Sequence, residues 1–175
     1  MTSVRIVYKK FAVAEKVISD KCDAILAQCA RELRDELKKA LDMGALPIQS
    51  DTHALADSLY VKTKHGSDYE AHLAAAAAAY MGNESQWRGA IRQTVTPDAY
   101  TAGHFAERVA PEEPLKVKQN ASRAAVATML AYGTFWQYGH HNQFTNREEH
   151  RPWMDQMAYD WAFKNMAQHF YGLLS

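Results

Sequence analysis

The sequence of 175 residues predicts an α+β fold, and three observations carry that expectation. Apolar residues recur at three- and four-residue steps from about Phe11 to Met43, the mark of one long amphipathic helix. Strand-length stretches stand at Val4–Tyr8, Ser58–Lys64 and Ala124–Tyr132. A second helical repeat opens behind Pro152 and runs to about Leu173. The expected arrangement is a small antiparallel sheet packed by the N-terminal and C-terminal helices, with a mainly helical insertion in the middle.

Val4-Arg-Ile6-Val7-Tyr8 alternates and is β-branched, so it reads as a short strand. In the long helix Val17 or Ile18, then Cys22, Ile25, Leu26, Cys29, Leu33, Leu37 and Leu41 share one face. Lys21, Asp23, Arg31, Asp35, Lys38, Lys39 and Asp42 fill the others. Gly44 is the expected stop, with Pro47 beyond it. Such a helix is roughly 45–50 Å long, more than a compact domain of this size requires. It either lies across one sheet or reaches a neighbouring subunit. Cys22 and Cys29 are two helical turns apart, about 10–11 Å, too far for a disulfide. They read as small buried hydrophobes of a reduced compartment.

Leu55 to Thr63 reads as a strand, with Leu59, Val61 and Thr63 alternating against Tyr60 and Lys62, unless Asp57-Ser58 prolong a short turn before it. Lys64 to Asp68 is a turn cluster. Residues 67–122 read as an insertion or arm within a single domain spanning 1–175. Ser67 and Glu70 form a possible capping box before a run of six alanines ended by Gly82-Asn83, a helix by propensity or equally a tightly packed strand. Further helices are expected over Glu84–Val95 and from Thr96-Pro97 to about Val109.

Ala124 to Leu130 is small and apolar, and the next eight residues hold Tyr132, Phe135, Trp136 and Tyr138. Aromatic side chains carry large burial, so this cluster belongs in a core or an interface. Gly139 ends it. The polar stretch His140–Arg151 lacks apolar periodicity and is expected to be a loop, mobile in the free subunit and ordered on assembly. Met154, Met157, Ala158, Trp161, Met166, Phe170, Leu173 and Leu174 then give the last helix a broad apolar face, suited first to core packing and second to a subunit contact.

Lys plus Arg number 20, as do Asp plus Glu, so no global field draws the chain to nucleic acid or anionic lipid. No apolar run approaches the ~20 residues of a membrane span and no signal-peptide pattern opens the chain, so a cytosolic product is expected. HExxH, paired CxxC, GxSxG and glycine-rich phosphate motifs are missing from the sequence. One place invites a metal-dependent or nucleic-acid-acting enzyme: His140-His141 with Glu148-Glu149-His150. Adjacent histidines on an extended chain point apart and rarely share an ion, so the expectation is no enzyme, no metal and no cofactor. A binding surface is what the residues favour.

Two stretches carry a resemblance. Tyr132-Gly-Thr-Phe-Trp-Gln-Tyr138-Gly139, followed by a loop and Arg151-Pro152-Trp153-Met154, is similar to the neck proteins of long-tailed bacteriophages, the gene-product-10-like family of head–tail joining and tail-completion proteins. Pro47-Ile-Gln-Ser-Asp51-Thr52-His53-Ala-Leu55-Ala-Asp57-Ser58-Leu59 resembles that family's second signature, with His53 where the family has glycine. The likeness covers Val4 to Val61 and Ala124 to Leu174. It implies a virion structural protein forming a six- or twelve-fold homo-oligomeric ring in the neck. The partners implied are connector and tail proteins, with genomic DNA passing through the channel unread. A tail terminator or head-closure stopper is the alternative of the same style. Thr52, Leu55, Ser58, Tyr132, Trp136, Tyr138, Gly139, Arg151, Pro152 and Trp153 are the structural or interface positions the resemblance singles out.

Overall fold

The computed structural model describes residues 2–46, 54–78, 109–112, 115–116, 121–142, 146–149 and 152–171. It is an α+β molecule with a long N-terminal helix, a small antiparallel sheet and a C-terminal helix.

Helix α1 (Thr2–Asp42) is longer than the periodicity suggested, because it takes in Val4–Tyr8, the stretch read as a strand. Five alternating residues fit a helix as well as a strand when nothing interrupts them. No glycine, proline or asparagine stands anywhere between Thr2 and Asp42, so the helix formers from Phe11 onward propagate back to the start. The result is a rod of roughly 60 Å. Its stop is the expected one. Gly44 takes φ +65°, its N–H bonds the Leu41 carbonyl at 3.1 Å, and the Ala45 N–H reaches back to Ala40 at 2.9 Å. That paired return closes a helix through a left-handed residue.

The strand read from Leu55 starts later, since Ala54–Asp57 form one helical turn, α2. β1 (Leu59–Thr63) and β2 (Gly66–Ser67) make a tight hairpin over Lys64-His65. β3 (Ala124–Thr128) lies on the other side of β1, antiparallel, with Leu59 opposite Thr128 and Thr63 opposite Ala124. Leu59, Tyr60 and Val61 are all buried, so both faces of β1 are covered at that end and the alternation seen in the sequence does not separate core from solvent there. Asp68 extends the hairpin with its side chain: Oδ1 accepts the Val61 N–H at 2.6 Å while its own N–H bonds the Val61 carbonyl at 3.2 Å.

Helix α3 is described over residues 69–78, so the alanine run takes the helical of its two readings and not the packed strand. The remaining helices expected in the insertion fall on 84–108, outside the described residues. Tyr69 and Ala76 of α3 nonetheless belong to the same core as α1. Tyr60 and Tyr69 meet edge to face at 5.1 Å, and the Tyr69 hydroxyl donates to the Ala110 carbonyl.

β3 ends at Thr128, four residues before the expected limit at Tyr132. The aromatic run is a helix, α4 (Ala131–Tyr138), closed by Gly139 at φ +88°. The polar stretch expected as a loop contains a hairpin, β4 (His140–Asn142) paired with β5 (Arg147–Glu149). Backbone pairing, which needs no apolar periodicity, makes this element. Helix α5 (Asp155–Tyr171) follows. The core gathers Leu37 and Leu41 of α1, Leu55, Ala56, Leu59, Tyr60, Met129, Leu130 and Trp153.

Candidate interaction surface

The two stretches singled out in the sequence meet at Trp153. Its indole is 1% exposed, and Nε1–H donates to the Gly133 carbonyl of α4 at 3.0 Å. Gln137, one turn further along α4, is buried between two aromatic neighbours in sequence. Its Oε1 accepts the backbone N–H groups of both Trp153 and Met154, at 2.9 and 2.8 Å. One amide thus fixes where the chain enters α5. On the opposite side α4 presses on α2. A Cβ at Gly133 would stand 2.8 Å from Leu55 Cδ1 and 3.1 Å from Thr128 Cγ2. Glycine inside a helix costs about 1 kcal/mol against alanine, and here the close approach requires it. Ser58 Oγ, fully buried, contacts the Leu55 carbonyl and Thr128 Oγ1, each at 2.7 Å, tying α2 to β3.

Leu55, Ser58 and Trp153 are therefore brought together as a buried joint and are not exposed binding groups. Tyr138, by contrast, is an exposed aromatic at the end of α4, and Pro152 is exposed beside Trp153. Tyr132 and Trp136 stand on α4. Thr52 and Arg151 lie outside the described residues. In the β4–β5 hairpin His140 is opposite Glu149 and His141 opposite Glu148, while His150 is not among the described positions. Among the described residues no three histidine, cysteine or acidic side chains converge as a metal centre needs.

A second set of contacts was hidden in the sequence, and it ties α1 to α2, to the start of α3 and to the hairpin turn. Lys38 pairs with Asp57. Arg34 Nη1 donates to Asp68 Oδ2 at 2.6 Å and lies 3.0 Å from His72 Nε2. A guanidinium has no acceptor, so Nε2 accepts there, leaving Nδ1 to face the Asp57 carbonyl at 3.3 Å. Asp23, read as part of a solvated face, is instead 8% exposed and pairs with Lys64 in the hairpin turn, with His65 Nε2 at 3.5 Å. Charge alternation along α1 gave no hint of it, because the partner is distant in sequence.

Burial opposes the charge on Asp23, but Lys64, Ser122 and His65 outweigh it and hold its pKa below 3.8. A depressed carboxylate stabilises the fold above its unfolded pKa and loses that contribution as pH falls through the folded value. The stability gap between the native chain and Asp23→Asn should therefore be full at neutral pH and shrink on acidification below pH 3.8. Urea midpoints measured against pH for the two proteins read this directly. A gap that stays constant into acid would exclude it.

The third feature is apolar. Leu26, Cys29, Ala30, Leu33 and Leu37 of α1, residues 124–126 of β3, and Met154, Ala158, Trp161, Ala162 and Met166 line a cleft of about 260 Å³. Helix α5 was expected to bury a broad face, yet none of its residues is buried. Its sequence has the apolar residues, but only one flank meets α1, where His169 also pairs with Glu32 at 2.9 Å. Tyr159, Phe163 and Tyr171 stand exposed, Phe163 at 91%. Cys29 is buried as expected, while Cys22 is half-exposed. No helix among the described residues is long and apolar enough to cross a membrane. Comparison with protein-family models, with curated proteins and with solved structures finds no match to this chain.

Proposed function

We propose that this chain is a structural subunit of the neck of a long-tailed bacteriophage, a ring protein that joins the filled head to the tail and acts by contact, without turnover. The observation that carries the reading is the joint at Trp153. The two stretches that resemble the neck family, apart in sequence, close on one another through Leu55, Gly133, Gln137 and Trp153. Such convergence is what a fold signature requires, since residues kept for architecture must touch. The exposed faces of α1 and α5 support an assembling subunit, because apolar rows of this kind in a small chain mark contact sites. On this reading the partners are further copies of the chain in a six- or twelve-fold ring, then the connector above and the tail below. DNA passes without being read.

Deleting the gene from the phage that encodes it should leave filled heads and complete but unattached tails in electron micrographs of lysates. Supplying the protein in trans should restore joined particles and plaques. Normal joined particles in the deletion would overturn the proposal.

A further inference from the structure

Helix α5 is held near its two ends and loosely packed between them. At its start Trp153 is buried, and Gln137 Oε1 accepts the N–H groups of both Trp153 and Met154, so the chain enters the helix from a fixed point. From there α5 packs on α1, yet no residue of it is buried. Towards its far end His169 Nε2 meets Glu32 Oε2 of α1 at 2.9 Å, and the imidazole stacks on Trp161 with ring centres 6.3 Å apart. Between these two attachments lies the apolar cleft of about 260 Å³. Ala30 of α1, Ala124 and Ala125 of β3, and Ala158 and Ala162 of α5 all line it, and side chains this short leave the space between the helices unfilled. The α1 wall of the cleft is nonetheless shielded: Cys29 and Ala30 are 4% and 7% exposed, and Leu37 is fully buried.

From this arrangement we infer that α5 is a flap: it turns about the joint at Trp153, is latched by the Glu32–His169 pair, and on release uncovers the α1 wall of the cleft. Local opening is drawn from elements with few buried apolar contacts. Among the described residues of α5, Met157 alone packs against the core cluster, and it lies within about a turn of the joint. Swinging the rest of the helix away therefore gives up its contacts along the cleft and leaves the core in place. The polar tie that resists this is at the far end, roughly 24 Å along the helix from Trp153, where the lever is longest. The other side-chain hydrogen bonds of α5 among the described residues stay within the helix, Gln156 to Asp160 and Asn165 to the Trp161 carbonyl. Closed, the flap keeps the strip of α1 from Leu26 to Leu37 out of water. Open, it exposes that strip, with Cys29 near its middle.

This goes beyond the neck reading and is independent of it, since the purified chain suffices for the test. Cys29 is the reporter, and half-exposed Cys22, which does not line the cleft, is the reference. The rate at which an aryl disulfide modifies each thiol is followed by peptide mass analysis, in urea below the unfolding transition. Modification of Cys29 should rise with urea much less steeply than the global unfolding equilibrium, because a flap exposes little surface. His169→Ala should speed it about two- to fivefold, the factor an ion pair near the surface is worth, with the urea midpoint little changed. In a Glu32→Ala background the same histidine substitution should change nothing, since the latch is already gone. Burial and then the Glu32 charge push the Cys29 thiol up, and both members of that second comparison lack the charge, so it reads the latch alone. A urea slope equal to that of global unfolding would overturn the flap, as would a Cys29 rate equal to that of Cys22. An unchanged rate in His169→Ala, or the same acceleration with and without Glu32, would overturn the latch.

Discussion

Trp153→Ala is expected to destabilise the chain by about 4 kcal/mol, the range for removing a buried aromatic. Single domains are stable by only ~5–15 kcal/mol, so this is a large fraction of the whole. Two losses combine. The cavity left by the indole opens between α4 and the core cluster, and the Gly133 carbonyl loses the donor it has at 3.0 Å. Trp153→Phe separates them, keeping most of the volume while removing the N–H. It should cost about 1–2 kcal/mol, the penalty for one buried acceptor left without its donor. Urea unfolding of the three proteins checks both figures. A cost below about 1 kcal/mol for Trp153→Ala would mean the indole is not in the core.

The second large effect is expected at Leu37, which is fully buried beside Leu41 and Leu55. Truncation to alanine should cost about 3 kcal/mol. Leu37→Asp should cost several kcal/mol more, because a carboxylate there must either give up water or take up a proton. The contrast with Ile18→Glu on the same helix is the informative part. An exposed site away from special features shifts stability by about 0.5 kcal/mol or less. Urea midpoints at neutral pH should therefore separate the exposed and the buried part of α1. Equal costs at both positions would contradict the exposure of Ile18.

What the sequence disclosed follows from how far each signal reaches. The apolar repeat of α1 is local and long, so its face and its stop at Gly44 were both legible. The pairing region of β1 and β3 was legible from small and β-branched residues, though neither boundary was. Val4–Tyr8 misled because a five-residue alternation does not separate helix from strand, and only the lack of breakers up to Asp42 decides. Helix α4 was hidden by Gly133, which reads as punctuation until Leu55 is seen against it. The β4–β5 hairpin was hidden by its polarity, and Asp23 and Arg34 by partners far along the chain. Among the positions singled out, Trp153 and Leu55 turned out to be architecture. The exposed row on α5 was present in the sequence as aromatic residues, but its direction depended on which flank α1 had already taken.

The uninterrupted course of α1 also has a mechanical consequence. With no glycine or proline from Thr2 to Asp42, the helix offers no hinge, so it behaves as one stiff rod held to the sheet from the Asp23–Lys64 pair through Arg34–Asp68 to Leu41. A tilt of about 5° at Arg34 displaces the first turn of the helix, roughly 48 Å away, by about 4 Å. Motion travels equally well in reverse: load on the tip arrives at the sheet as torque on β1 and β3, without being absorbed along the way.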